Sequence, residues 1–165
     1  QRVARSEICA VAAPNMSAPI LLVQAAFEYL AGRFPKALQG WNAEIIESHQ
    51  AGKLDTSGTA KKMVEYLKAL GTDADVDRIE KVRDPEVQQS RMNVPEDFLS
   101  GHAYHTYTLR DPERSVELRF SHNVLGRATY AAGTLAAVRF LAMKRAEGIR
   151  GKTYTMLDVL RASGE

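Results

Sequence analysis

The order of apolar and polar positions divides the first third of the chain into a strand, a helix and a second strand. Residues 8–13 are a short run of small apolar side chains that ends at Pro14, which predicts a buried strand. Ser17 is a candidate helix cap with Pro19 in the first turn, and apolar residues then recur at helical spacing. Residues 41–48 place branched apolar side chains among polar ones and predict a second strand.

A polar loop and a helix follow this second strand. Residues 49–56 are mostly polar, and Ser57 stands where a helix would begin. Gly71 is typical of the residue that ends such a helix. The apolar face of this helix consists of Ala60, Met63, Val64 and Leu67. We therefore predict a helix that begins at Ser57 and ends before Gly71.

The second half of the chain predicts a hairpin and a long helix. Residues 102–109 and 116–120 form the two arms of the hairpin, after a short strand at residues 79–82. In the second arm, Val116, Leu118 and Phe120 alternate with charged residues, which is the pattern of a half-buried strand. The helix covers residues 129–147, and its apolar residues at helical spacing are Leu135, Val138 and Leu141, with Phe140 on a neighbouring face. These elements predict an α+β fold in which helices cover a mixed β-sheet.

Composition and charge argue against several classes of protein. The formal net charge is +2, and the basic residues form no patch of the kind that binds nucleic acid. No apolar run approaches the ~20 residues that span a bilayer. Cys9 is the only cysteine, which rules out disulfides within the chain and suits a reducing compartment. Because the chain begins with Gln1 rather than Met, we expect a fragment or a processed product.

The loop before the second helix carries the candidate chemistry. Ser57, Gly58 and Thr59 open the helix, where free backbone N–H groups and the helix dipole favour an anion. Lys53 adds a positive charge, and His49 can exchange a proton near neutral pH. A plain helix cap and a surface His and Lys would explain the same residues.

The segment of residues 44–60 resembles the signature of the dihydrodipicolinate reductases. The matching positions are Glu44, Ile45, Glu47, His49, Lys53, Asp55, Ser57, Gly58, Thr59 and Ala60. Thr56 stands where the signature has a proline and one further residue. Gln50, Ala51 and Gly52 replace the basic residues of many bacterial members, and in this the segment looks like the plant-type branch. Segments at residues 13–17, 100–102, 121–127 and 153–160 also resemble the family, so the resemblance covers nearly the whole chain.

The resemblance implies an enzyme that reduces a cyclic imine dicarboxylate to tetrahydrodipicolinate, with NADPH or NADH, on the route to diaminopimelate and lysine. His49 would donate the proton and Lys53 would support the acid–base step. The implied substrate-binding residues are Gln50, Ser57, Gly58, Thr59 and Arg127. Asn15 and Met16 would contact the nicotinamide end of the cofactor. For Asn15 a turn is the simpler interpretation, and Arg127 could equally cap a surface.

The resemblance also implies a division of the single domain at residues 1–165. Residues 1–16 would be a junction strand from a missing nucleotide-binding domain, residues 17–127 the substrate-binding and oligomerisation core, and residues 128–165 the C-terminal helix and tail. The sequence has no glycine-rich phosphate loop, so we expect the isolated chain to be inactive. Apolar surface left without its partner would favour a homo-oligomer.

Other polar and aromatic residues receive simpler interpretations. His102 and His105 are interpreted as histidines on the surface of the sheet, and no metal site is predicted because nothing fixes His122 near them. Tyr104 and Tyr107 are assigned to sheet and interface packing.

Two further functions remain as alternatives to the reductase. One is a non-catalytic assembly or oligomerisation module, and the other is an oxidoreductase for a different small carboxylate. Retention of both His49 and Lys53 favours the reductase. We expect a small dicarboxylate as substrate, no nucleic-acid or membrane partner, and a cytoplasmic location, or the plastid stroma for a plant or algal source.

Overall fold

The computed structural model describes residues 2–163, which contain helices and a mixed sheet as the sequence predicts. The helices are α1 (Ala18–Arg33), α2 (Gly58–Ala69), α3 (Pro85–Met92), α4 (Thr129–Ala146) and α5 (Met156–Ser163). The strands are β1 (Ala10–Val11), β2 (Asn42–His49), β3 (Glu80–Val82), β4 (His102–Arg110), β5 (Glu117–Leu125) and β6 (Thr153–Tyr154). No helix of the described chain is both long enough and apolar enough to cross a membrane.

The chain forms two compact units. One unit combines the chain up to Ala25 with the chain from Ala128 onward, and Ala26–Arg127 form the other. In the Ala26–Arg127 unit, β2 lies between β3 and β4, and β5 is the outer strand next to β4. The β2–β3 pair is parallel, whereas β4 is antiparallel to both β2 and β5.

Helix α2 and one face of this sheet share a core. The buried residues of this core include Ala43, Ile45, Ala60, Met63, Val64, Leu67, Tyr107 and Leu109. The helix begins after Ser57 and ends before Gly71, whose φ of +99° a residue with a side chain rarely adopts. The predicted bounds and apolar face of α2 are therefore confirmed.

Strand β5 departs from the sequence-based expectation. It begins one residue after Val116, and both Val116 and Leu118 are exposed rather than half-buried. Phe120 is partly buried because it stacks on Tyr107 with ring centroids 4.7 Å apart. Because β5 is an outer strand of the sheet, alternation alone could not show which of its side chains would be covered.

The other unit has its own core around a short parallel pair of strands. Strand β1 is shorter than predicted and pairs with β6. The buried residues of this core are Leu21, Ala137, Phe140, Tyr154, Met156 and Val159. The apolar face predicted for α4 is wrong, because Leu135 and Val138 are 57% and 59% exposed whereas Ala137 and Phe140 are buried.

Candidate functional site

Strand alternation places Glu47 and His49 on the face of the sheet that α2 covers. The two residues are separated by one position of β2, so their side chains leave the strand on the same side. Glu47 is paired in register with His105 of β4, and His105 is paired with His122 of β5. A carboxylate and three imidazoles therefore gather on one face of the sheet.

Glu47 is a fully buried carboxylate held by two kinds of donor. Arg83 forms an ion pair with Oε1, and the Ser57 backbone N–H donates to Oε2 at 2.9 Å. A buried charge requires this compensation, because an unpaired carboxylate away from water is costly. Glu47 thus ties the start of α2 to β2 and uses one of the amides at the helix opening.

Arg83 also fixes the loop between β2 and α2. Its Nε donates to the Lys53 carbonyl oxygen at 2.7 Å, and its guanidinium lies 3.4 Å from the Asp55 carbonyl oxygen. Gln88 supports the same region, because its amide donates to the His49 carbonyl oxygen at 2.7 Å. The loop that carries Lys53 is therefore held by hydrogen bonds from Arg83, and the end of β2 before it by one from Gln88.

His49 is buried, and its Nε2 has no hydrogen-bond partner among the described residues. The pKa of His49 is lowered to about 4, chiefly because the imidazole is buried, while the charge of Glu47 raises it and the positive charges of Arg83 and Lys53 lower it. At neutral pH the imidazole is uncharged in this structure. Since the charge of Lys53 acts on His49, the two side chains lie within electrostatic reach of each other.

Lys53 and the residues at the opening of α2 are less accessible to a ligand than the sequence suggests. Lys53 Nζ forms an ion pair with Asp55 Oδ1 at 2.6 Å, and this contact lowers the pKa of Asp55. Ser57 and Thr59 are buried, and only Gly58 of this tripeptide is exposed. The Ser57 hydroxyl makes no capping hydrogen bond, so a plain serine cap does not explain this residue.

The interpretation of His102 and His105 as surface residues is wrong, because both are buried. His102 has partners, with Nε2 2.7 Å from the Ser48 hydroxyl and Nδ1 3.1 Å from the Phe98 carbonyl oxygen. His105 contacts His49 edge to face at 5.1 Å between ring centroids, and His122 lies 4.6 Å from it. The fold therefore brings His122 to His105, contrary to the expectation.

The remaining predicted site residues lie outside this cluster. Gln50 is half-buried after β2, and Arg127 is exposed between β5 and α4. Asn15 Oδ1 accepts a hydrogen bond from the Ser17 backbone N–H at 2.8 Å, which is the turn predicted as the alternative. Met16 precedes α1, and its backbone passes close to Gly133 of α4.

The sequence reasoning assigned no role to Glu47, Arg83 or His105. The sequence contains a signal for Glu47 and for His105. Glu47 belongs to the signature, and His105 is in phase with the apolar Tyr107 and Leu109, which indicates the buried face. Arg83 gave no local signal, because only the parallel pairing of β3 with β2 brings it to Glu47.

Comparison with known proteins agrees with this fold and shows the family. The family "Dihydrodipicolinate reductase, C-terminus" matches residues 20–160. The chain is 45% identical over 159 residues to 4-hydroxy-tetrahydrodipicolinate reductase 2, chloroplastic, of Arabidopsis thaliana, covering 96% of this chain and 46% of that protein. It is 32% identical over 163 residues to the 4-hydroxy-tetrahydrodipicolinate reductase of Nitrosomonas europaea, covering 96% and 58%. The chain thus spans about half the length of these curated relatives.

A solved structure shows the same fold. Dipicolinate-bound dihydrodipicolinate reductase from Paenisporosarcina sp. TG-14 superposes with a TM-score of 0.52 at 17% identity, over 90% of this chain and 53% of that one. Three chloroplastic reductases of Arabidopsis thaliana and Oryza sativa match this chain at 44–45% identity. The chain therefore belongs to the dihydrodipicolinate reductase family and corresponds to the C-terminal domain of its plant-type branch.

Proposed function

We propose that this chain is the substrate-binding domain of a 4-hydroxy-tetrahydrodipicolinate reductase, which reduces a cyclic imine dicarboxylate in diaminopimelate and lysine biosynthesis. The observation that supports this most is the placement of His49 at the end of β2, beside Lys53 and the opening of α2. A dianionic substrate needs preorganised donors, and this region offers backbone amides, hydroxyls and one ammonium group.

His49 is the proposed proton donor, and Lys53 and α2 hold the substrate. One substrate carboxylate would approach the exposed backbone of Gly58. It would replace Asp55 as the ion-pair partner of Lys53. The negative charge of the substrate would oppose the effects of Arg83 and Lys53 and raise the pKa of His49. His49 would then take up a proton as substrate binds and deliver it as the imine is reduced. Gln50 and Arg127 are proposed as further carboxylate contacts.

The hydride of this reaction would come from NADPH or NADH. Asn15, one of two candidates for the cofactor's nicotinamide end, already uses its side-chain oxygen for Ser17. The sequence also lacks a glycine-rich phosphate loop. We therefore propose that a nucleotide-binding domain supplies the cofactor, with residues 1–16 as the junction to it, and that the chain alone is inactive.

The proposal also covers assembly and location. Exposed apolar residues on α4 support a homo-oligomer. The plant relatives are named as chloroplastic proteins, which supports the plastid stroma for this chain if its source is a plant or an alga, and the cytoplasm otherwise.

A chimera tests the activity. The chain is joined to the nucleotide-binding domain of the Arabidopsis relative, and NADPH fluorescence first shows that the cofactor binds. We expect turnover of the cyclic imine by the chimera and none by the chain alone. His49→Asn and Lys53→Met should lower kcat/KM by at least about 100-fold, on the scale of lost acid–base catalysis, whereas Lys61→Met, an exposed lysine of α2, should not. A chimera that binds NADPH but has no turnover would contradict the proposal.

A further inference from the structure

The described residues include a buried set of potential metal ligands beneath the opening of α2. Glu47, His49 and His105 each offer one ligand atom, and these atoms all lie within 4.8 Å of one another. We propose that these three side chains bind a divalent transition-metal ion of the Zn²⁺ class. This binding does not depend on the reductase activity proposed above.

The nitrogen atoms of His105 provide the first argument. The side chain is only 2% exposed, yet neither ring nitrogen has a hydrogen-bond partner among the described residues. His49 Nε2 is likewise buried without a hydrogen-bond partner among the described residues. Leaving a buried polar group unsatisfied is unfavourable, and an apolar side chain would fill the same space without that cost. A metal ion bound between the two rings would give a partner to His49 Nε2 and to one nitrogen of His105.

The chemistry of the ligands selects the class of metal. Two imidazoles and one carboxylate suit Zn²⁺ and its neighbours, whereas Mg²⁺ and Ca²⁺ prefer sets of oxygen ligands. His105 Nε2 lies 4.0 Å from Glu47 Oε2, which is too far for a hydrogen bond. Ligands of a tetrahedral zinc ion with bonds of about 2.0–2.2 Å lie somewhat over 3 Å apart, so a shift of about 1 Å closes the site.

The surroundings of Glu47 are compatible with a metal on one side only. Arg83 occupies Oε1, so a metal ion would bind Oε2 on the side that faces His105. Oε2 also accepts the Ser57 N–H, and the remaining lone pair is available to a metal. Such a hydrogen bond to a ligand carboxylate orients it, as outer partners do in protein metal sites. The charge of Arg83 opposes a dication, which makes this a site of moderate rather than very high affinity.

Metal binding has a consequence for the candidate active site. Ligation through Nε2 would occupy the nitrogen of His49 that has no protein partner. If His49 is the proton donor, a metal ion bound in this site inhibits the reductase. With three protein ligands, a tetrahedral metal ion also keeps one coordination position for a water molecule. This consequence rests on the proposed function, whereas the binding itself does not.

A titration of the chain with Co²⁺ tests the site directly. Co²⁺ replaces Zn²⁺ in such sites and gives visible absorption bands when it is bound with low coordination number. We expect these bands with the unmutated chain, their loss when Zn²⁺ is added, and binding weakened by more than about tenfold in His105→Leu. The matched control is His102→Gln in the same strand, because His102 is buried but has partners on both nitrogens. This control should retain the bands.

Two results would overturn the proposal. One is the absence of visible bands from the unmutated chain at Co²⁺ concentrations on the order of 1 mM. The other is an unchanged titration in His105→Leu, which would assign the metal to surface groups. If circular dichroism shows that His105→Leu is unfolded, His49→Phe replaces it as the deciding variant. Pyridine-2,6-dicarboxylate, a planar analogue of the proposed substrate, is left out of this titration because it chelates metals. The result is therefore independent of whether the chain binds dicarboxylates.

Discussion

Glu47 is the residue on which the local structure of the site depends most. Its carboxylate is inaccessible to solvent and is joined to Arg83 and to the backbone N–H of Ser57, just before α2. The same Arg83 holds the loop that carries Lys53. Loss of this ion pair would therefore affect both the stability of the chain and the position of the candidate site.

Removal of Arg83 tests the cost of leaving this carboxylate unpaired. We expect Arg83→Ala to lower the free energy of unfolding by roughly 3–5 kcal/mol, the range found when one partner of a buried pair is removed. The control is Arg91→Ala, because the Arg91–Glu80 pair is half-exposed and should contribute less than about 1 kcal/mol. Urea denaturation measures both. Equal losses of unfolding free energy in the two variants would contradict a larger contribution from the Arg83–Glu47 pair.

All four histidines make stability depend on pH in the same direction, because burial lowers the pKa of each. Burial lowers the pKa of His49 and His122 to about 4, below the ordinary value of 6.5 that they regain on unfolding. Between pH 6.5 and 4 the unfolded chain therefore binds more protons, and stability falls as the pH falls through this window. At pH 5 the expected loss relative to pH 7.5 is roughly 2 kcal/mol for each of His49 and His122.

Urea midpoints at pH 5 and 7.5 measure this effect, and His122→Phe should reduce the difference by removing one titrating group. The ring of Tyr107 lies 5.8 Å from that of His122 at an interplanar angle of 35°, so an aromatic replacement keeps similar packing. Identical midpoints at the two pH values would mean that these imidazoles are not buried in their neutral form.

At this scale the sequence predicted some residues and not others for a physical reason. His49 and Lys53 occur in one continuous segment, so a signature can reveal them. Arg83 and His105 reach Glu47 only through strand pairing, and sequence spacing carries no information about such neighbours.

At the scale of elements, α2 was predictable because its start, end and apolar face are all local signals. The buried faces of α4 and β5 were not, because a helix or strand with apolar residues on several sides does not reveal which side will be covered. Leu135 and Val138 lie at helical spacing, yet Ala137 and Phe140 form the buried face. Small residues such as alanine and glycine give a weak hydrophobic signal, although they let a neighbouring segment pack closely against the helix.

Gly133 of α4 is such a close approach and gives a test at this scale. A Cβ atom there would lie 1.8 Å from the Met16 carbonyl oxygen, so the backbone before α1 would have to move. We expect Gly133→Ala to lower stability by about 1–3 kcal/mol through overpacking. Gly32→Ala in α1 is the matched control, since nothing lies within 4 Å of its added Cβ and alanine favours a helix by up to about 1 kcal/mol. A neutral Gly133→Ala in thermal unfolding would contradict this packing.

For the whole molecule, exposed apolar surface on α4 predicts self-association. Light scattering during size-exclusion chromatography should give a mass above that of the 18.2 kDa monomer, and the double variant Leu135→Lys, Val138→Glu should lower it. Leu54→Lys is the control, because Leu54 is exposed in a loop outside α4. A monomeric mass for the unmutated chain at every concentration would exclude an oligomer.

We propose that His49, Lys53 and the opening of α2 form one binding site for a dicarboxylate. Calorimetric titration of the chain with pyridine-2,6-dicarboxylate in the presence of a metal chelator tests it most directly. We predict saturable binding that His49→Ala and Lys53→Ala each weaken by at least about tenfold, equal to about 1.4 kcal/mol, and that Lys61→Ala leaves unchanged. Absence of binding, or equal affinity in all four proteins, would contradict the claim.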